Sequence, residues 1–215
     1  MINLRRALSL GSSRAGWRKL IRALDGLRPR AESAIDSRLR EQFGFGSNPG
    51  NLRMFVYRPP SLADNPALVV VLHGCTQTAA GYDLGAGWST LADRYGFVLL
   101  FPEQQRSNNP NGCFNSFQPA HSQRDRGGPL SIRQMIEKSI IDHGIDRRRI
   151  FATGLSAGGA MTSNMLACYP EVFAGGAIIA GLPYGAATTV QQAFQSMSPS
   201  QVTGASHWTR SRQNL

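Results

Sequence analysis

Several residue types that carry common chemistries are scarce in this chain of 215 residues. It holds 3 cysteines and 4 histidines. Cys75, Cys113 and Cys168 stand far apart, and none has the spacing of metal ligands, so neither a metal nor a cofactor is implied. No apolar run approaches the roughly 20 residues of a membrane-spanning helix. The amino terminus, MINLRRALSLGSSRAGW, has an early arginine pair, but the apolar stretch at 7–10 is too short for the core of an export signal. Acids are scarce too: 13 against 23 lysines and arginines, a net charge of +10. That excess is uneven. Residues 1–40 carry +7, residues 41–197 only +1, and residues 198–215 add two arginines and no acid. A nearly neutral body with basic ends is not the basic face of a nucleic-acid binder.

What remains is an ordinary globular composition, 41% apolar and 17% charged, of a length expected for one domain. Residues 13–40 read as a basic amphipathic helix, with Trp17, Leu20, Ile21, Leu24 and Leu27 on one stripe. It is expected to pack on the body or to hang as a loose extension; contact with an anionic surface or membrane is the alternative. After the turn-rich GFGSNPGN (44–51), apolar runs alternate with helical patterns. Strands are expected at LRMFVYRP (52–59), ALVVVLHG (67–74), FVLLFPE (97–103), up to Ser156 in IDRRRIFATGLS (145–156), and AGGAIIAG (174–181). Helices are expected at 88–96, 130–144 and 157–169, the second burying Ile132, Met135, Ile136 and Ile140. This alternation predicts an α/β fold, a mostly parallel sheet with helices on both faces. The long polar loop 104–128 is of a length that is usually functional.

GLSAGGAM (154–161) is the motif that carries chemistry. A serine hydroxyl is a poor nucleophile. It needs a tight strand-to-helix turn that exposes its oxygen, a base, and donors for an oxyanion. Gly154, Gly158 and Gly159 provide the room that such a turn requires, and the helix opening at Ala157 aims its positive end at the site. Ser156 is the candidate nucleophile, and the Ala157 N–H the first candidate oxyanion donor. VVVLHGCTQ supplies a His-Gly turn two strands earlier, which makes the Cys75 N–H the second.

The strings LVVVLHGCTQTAAGYDLGAGWSTLADRYGFVLLFPEQQRSNNPNGCFNSF, LSIRQMIEKSIIDHGIDRRRIFATGLSAGGAM and YPEVFAGGAIIAGLPYGAATTVQQAF resemble the poly(3-hydroxybutyrate) depolymerase family of esterases, which includes feruloyl and acetylxylan esterases. The resemblance covers about residues 43–197. It implies an α/β-hydrolase fold and serine-dependent hydrolysis of carboxylic esters, with the nucleophile at Ser156 and the oxyanion turn at Gly74-Cys75. Two departures stand out. Ser116 occupies the position where the family usually has tryptophan, so an aromatic wall of the cleft is missing. The family's acid and base follow the nucleophile in the order Asp, His, yet no aspartate follows Ser156 here, and Glu171 and His207 are the only later acid and histidine.

The resulting expectation is an incomplete, C-terminally truncated esterase. Residues 1–42 form the extension, 43–197 the hydrolase domain lacking its last strands, and 198–215 an unrelated, disordered polar tail. The triad acid and base are unidentified, with His207 a weak candidate base. His73 is expected to shape the oxyanion turn, and His121 and His143 to be solvated. Tyr82, Trp88, Phe114 and Ser116 are candidates for the substrate cleft. Cys75 and Cys113 are compatible both with a disulfide and with free thiols. The function expected is a serine ester hydrolase working through an acyl-enzyme, on poly(3-hydroxybutyrate) or its oligomers. The alternatives are a feruloyl or acetylxylan esterase and a catalytically inactive remnant. No nucleic-acid partner is expected. Localisation stays open between extracellular, from the resemblance, and cytoplasmic, from the absence of a visible export signal.

Overall fold

The run ALVVVL is apolar at every position, so it can satisfy both of its faces only in the middle of a sheet. In the computed structural model, which describes residues 37–187 and Gln192, it does so. The sheet has six strands: β1 (Arg40–Gln42), β2 (Arg53–Tyr57), β3 (Ala67–Leu72), β4 (Phe97–Glu103), β5 (Ile150–Leu155) and β6 (Gly175–Ile179). Their order is β1-β2-β4-β3-β5-β6. Strands β4, β3, β5 and β6 run parallel, with Val70 opposite Leu100 and Val71 opposite Thr153. β2 and β1 add an antiparallel half, with Phe55 opposite Phe101 and Glu41 opposite Phe55.

The crossovers cover both faces. Helices α1 (Ala79–Ala86) and α2 (Trp88–Tyr95) link β3 to β4; α3 (Gly127–His143) links β4 to β5, and α4 (Ala157–Cys168) links β5 to β6. On one face Leu68, Val70, Leu72, Val98 and Leu100 pack against Ile132, Met135, Ile136 and Ile140 of α3 and Met161 and Met165 of α4. On the other, Val71, Leu99 and Phe101 pack against Ala79, Tyr82 and Ala92. Each fully buried Val, Leu, Ile, Met or Phe side chain among them stabilises the fold by about 1.5–3 kcal/mol. The alternation of side chains along a strand therefore divides β3 and β4 between two cores.

The chain leaves β3 toward β4 on one side and returns to β5 on the other. Strand order thus reverses between β3 and β5, and a crevice opens beyond their C-terminal ends. Ligand sites of open α/β sheets lie at such reversals, and Ser156 directly follows β5.

Three features depart from the sequence reading. The helix expected over 13–40 does not reach residue 37. Residues 37–39 are irregular, and Arg40–Gln42 form the edge strand β1. Long-range polar contacts hold this lead-in: Arg38 donates to the Tyr57 hydroxyl and to Asp93 at 2.6 Å, and its guanidinium lies over the Tyr57 ring. Helix α1 was not expected. Its N-cap, Thr78, accepts from the Gly81 N–H, and the Glu103 carboxylate accepts from the Ala79 N–H at 2.7 Å. Helix α3 starts three residues earlier than expected, at Gly127. The rest of the expected N-terminal helix and the tail 198–215, with His207, lie outside the described residues.

Candidate active site

The turn from β5 into α4 is tight enough to dictate its residues. Ser156 stands at φ 56° and ψ −115°, a conformation rarely adopted by a residue with a side chain. A methyl group on Gly154 would come within 2.3 Å of the Gly158 carbonyl oxygen. One on Gly158 would come within 2.1 Å of the Leu72 carbonyl oxygen at the end of β3. Helix α4 thus rests on the backbone of β3 and β5, and only glycine fits there. The Ser156 N–H donates to the Ile179 carbonyl at 2.8 Å, which fixes the turn to β6. Ser156 remains partly exposed at the crevice.

The His73-Gly74-Cys75 turn meets this serine from β3. A methyl group built on Gly74 would lie 3.7 Å from Ser156 Cβ. The Gly74 N–H donates to Gln77 Oε1 at 2.7 Å, and the Thr76 N–H donates to the Asn111 carbonyl at 2.7 Å. The Cys75 and Ala157 N–H groups have no hydrogen-bond partner among the described residues. Two unused amides, one on each element flanking the serine, are what a developing oxyanion requires.

The long loop is fastened to this turn. Cys75 and Cys113 form a disulfide, so of the two pairings left open by the sequence the structure contains the bridged one. Asn108 adds a second clasp, donating to Gln104 Oε1 at 2.7 Å and to the Asn51 carbonyl at 2.9 Å. Cys168 is free and buried.

The histidines divide by position. His73 is 1% exposed, and both ring nitrogens are engaged, so it shapes the turn and cannot take the serine proton. Burial pushes its pKa below the usual histidine value, opposed in part by its bond to the Gly74 carbonyl. His143 ends α3, at the edge of the sheet opposite Ser156, and burial lowers its pKa too. It is half-buried rather than solvated. His121, also half-buried, packs on Gly127 at the start of α3. No histidine among the described residues bonds Ser156.

The cleft candidates separate as well. Tyr82 is 7% exposed in the core under α1, and Phe114 is 1% exposed in the other core, its ring tilted against that of His73. Both are packing residues and leave no aromatic face for a substrate. An aromatic ring in a loop or beside a polar turn gives no sequence signal that separates these roles. Trp88 and Ser116 are half-buried, and the Ser116 carbonyl accepts from Asn164 of α4 at 2.9 Å. Sequence reasoning missed Gln77 and Asn111, whose polar side chain and carbonyl hold the turn at Gly74-Cys75-Thr76. Gln77, two residues past Cys75, was the only one with a local signal.

The family model described as esterase PHB depolymerase matches residues 52–205. The chain is 50% identical over 161 residues to poly(3-hydroxyalkanoate) depolymerase C of Paucimonas lemoignei, covering 75% of this chain and 39% of that protein. It is 38% identical to feruloyl esterase B of Neurospora crassa, covering 77% and 56%. The acetyl xylan esterase structure from Aspergillus awamori superposes with a TM-score of 0.67 at 35% identity, covering 72% of this chain and 56% of that one. The chain therefore spans between 39% and 56% of the length of these relatives.

Proposed function

Since the chain belongs to the esterase PHB depolymerase family, we propose that it hydrolyses carboxylic esters with Ser156 as the nucleophile. The observation that carries this reading is the pair of amides, Cys75 and Ala157, without a partner among the described residues, beside a serine held in the strained turn between β5 and α4.

The Ser156 oxygen adds to the ester carbonyl carbon and gives its proton to a base. The carbonyl oxygen becomes an oxyanion, held by the Cys75 and Ala157 N–H groups. One such donor contributes about 2.7–4 kcal/mol to the transition state. Collapse expels the alcohol, which takes the proton, and leaves an acyl-serine. Water then attacks the acyl carbon and gives a proton to the base; the second oxyanion collapses, the serine oxygen leaves and takes that proton, and the carboxylic acid is released. The α4 N-terminus favours the negative charge in both steps. His207, the only histidine after Ser156, is the base candidate that this chain carries.

For the substrate, the names of the relatives support an acyl ester of a polyester or of an acylated polysaccharide, with 3-hydroxyalkanoate esters first because that relative is 50% identical. The disulfide at the site supports an oxidising, extracellular location. A second reading, ester binding without turnover, is favoured by the absence of a histidine bonded to Ser156 among the described residues.

Fluorophosphonate labelling combined with p-nitrophenyl butyrate hydrolysis tests both readings beside a Ser156→Ala control. Stoichiometric labelling at Ser156 with turnover supports the hydrolase. Turnover that survives Ser156→Ala overturns it, and a folded protein that binds ester but neither labels nor turns over selects the second reading. Parallel assays on 3-hydroxybutyrate oligomers, acetylated xylan and a feruloyl ester assign the acyl group.

A further inference from the structure

Helix α4 holds two buried polar side chains that the chemistry above does not use. Ser163 is 8% exposed and Asn164 3%. Burying a polar side chain is costly unless it is hydrogen-bonded. Here each one satisfies a backbone group of an irregular segment, which has no ladder partner of its own. Asn164 Nδ2 donates to the Ser116 carbonyl at 2.9 Å, and Ser163 Oγ accepts from the Tyr184 N–H at 2.8 Å. Ser116 belongs to the long loop 104–128, and Tyr184 to the segment that follows β6.

Helix periodicity extends these two bonds into two rows. Residues four apart lie on the same side, and neighbours stand about 100° apart around the axis. Asn164 and Cys168 form one row, and the Cys168 thiol donates to the Ser122 carbonyl at 3.3 Å. Gly159 and Ser163 form the other. A methyl group on Gly159 would come within 3.0 Å of Gly181 Cα, so the segment after β6 runs directly against that flank. The Tyr184 side chain then crosses to the first row, where its hydroxyl hydrogen-bonds the Cys168 thiol. Ala160, about one turn from Ser156, lies between the rows and is buried.

Each segment also reaches the nucleophile. The Ile179 carbonyl, two residues before Gly181, accepts from the Ser156 N–H. Cys113, three residues before Ser116, is bonded to Cys75 of the oxyanion turn. The two segments are therefore walls on either side of Ser156, and both are fastened to α4.

We propose that Asn164 and Ser163 are specificity-determining residues: by pinning loop 104–128 and the segment 181–184 to opposite flanks of α4, they set the width of the acyl cleft at Ser156. The proposal rests on the reading of Ser156 as an ester-hydrolysing nucleophile. Neither side chain touches the reacting atoms. They act as positioning residues, and what they position is the two walls. A cleft pinned on both flanks favours a short acyl chain, and loosening either wall admits a longer one.

The test uses the full chain and p-nitrophenyl acetate, butyrate and octanoate, which differ only in the acyl group. Asn164→Leu keeps a side chain of similar size and removes the donor. Ser163→Ala removes the acceptor, and Ser163→Thr keeps it. Tyr57→Phe is the control, since it deletes a buried hydroxyl bonded to Asp93 on neither wall and costs comparable stability in urea. Asn164→Leu and Ser163→Ala are each expected to raise the octanoate-to-acetate ratio of kcat/KM roughly tenfold, through a lower KM for octanoate, with kcat on acetate within roughly threefold of the parent. Ser163→Thr and Tyr57→Phe are expected to keep the parental ratio. An unchanged ratio in either wall variant, the same change in Tyr57→Phe, or a loss of kcat shared by all three esters overturns the proposal. Each wall has its own variant, so a failure of one to fold leaves the other to decide. Titration with octanoate and butyrate, the product carboxylates, followed at the Tyr184 amide by proton–nitrogen NMR, gives a readout without turnover. A Kd for octanoate that tightens relative to butyrate in the wall variants supports the proposal. A parental ratio of affinities, or an amide that no carboxylate moves, overturns it. A parent chain without Ser156-dependent hydrolysis defeats the functional reading instead, and the titration still decides the role of the two residues.

Discussion

Adding one methyl group at Gly158 addresses the stability and the chemistry of this site together. The added carbon would stand 2.1 Å from the Leu72 carbonyl oxygen and 2.5 Å from that of His73, both of them backbone atoms that cannot swing aside. Ordinary contact begins near 3.4 Å, so α4 and the end of β3 must separate by more than about 1 Å, an overpacking that costs about 1–3 kcal/mol. The two elements forced apart are the ones that hold the Ala157 and Cys75 amides. Both donors are then displaced from the oxyanion, and kcat is expected to fall roughly 10²- to 10³-fold, the loss seen when one such donor is removed. Urea unfolding measures the stability arm, and fluorophosphonate labelling with ester turnover measures the catalytic arm. Gly85→Ala in α1 is the control. Beyond its chain neighbours and its own helix backbone, no atom lies within 4 Å of the added methyl, and the change is expected to stabilise the helix by up to about 1 kcal/mol at unchanged activity. A folded Gly158→Ala protein with parental kcat would refute the argument that the packing of α4 on β3 sets the oxyanion geometry.

Other outcomes follow from the same structure. Cys113→Ser opens a bridge between residues 38 apart, and on the chain-entropy estimate it destabilises the protein by about 4 kcal/mol; an unchanged melting temperature would contradict this. Burial lowers the pKa of His73 in the fold, so below about pH 6.5 the unfolded chain binds the proton first. Stability is then expected to fall as pH drops through that value, by at most about 1.4 kcal/mol per pH unit for this ring. Urea midpoints from pH 8 to pH 5 check this, with a shallower slope expected for His73→Asn. Tyr57→Phe removes the hydroxyl that donates to Asp93 at 2.6 Å, and about 1 kcal/mol of stability is expected to go with it. The Tyr57 phenol is pushed up to about 12, chiefly by burial, so this difference should hold from pH 6 to about 9 and shrink as pH rises past about 10, where the unfolded phenol ionises first; a difference that grows there in urea titrations would contradict it.

The parts of the fold that were legible in the sequence have local causes. A strand apolar at every position, a glycine after a helix and the spacing of Gly154, Ser156 and Gly158 each state their requirement within a few residues, and β3, β4, α2 and the Ser156 turn lie where they were read. The β1 strand, Arg-Glu-Gln, has no apolar period. It forms because Arg38 reaches Tyr57 and Asp93, which no window of sequence joins. Helix α1, AAGYDLGA, is rich in glycine and alanine and has little amphipathic character. Thr78 and Gly87 at its ends were the available signals. Tyr82 and Phe114 looked like cleft walls because aromatic residues near a site serve packing and binding equally well, and only their burial separates the two.

Cys75 serves two purposes with different atoms. Its backbone N–H faces the proposed oxyanion, while its sulfur tethers the loop that carries Cys113. The amide is present whatever side chain the residue bears, so Cys75→Ser removes the tether and keeps the donor. Loop order and bond-breaking chemistry are therefore separable at one position. An exchange of the segment between Gln104 and Ser116 would still have to supply the Asn111 carbonyl, which accepts from the Thr76 N–H at 2.7 Å and holds the same turn without any bond to sulfur.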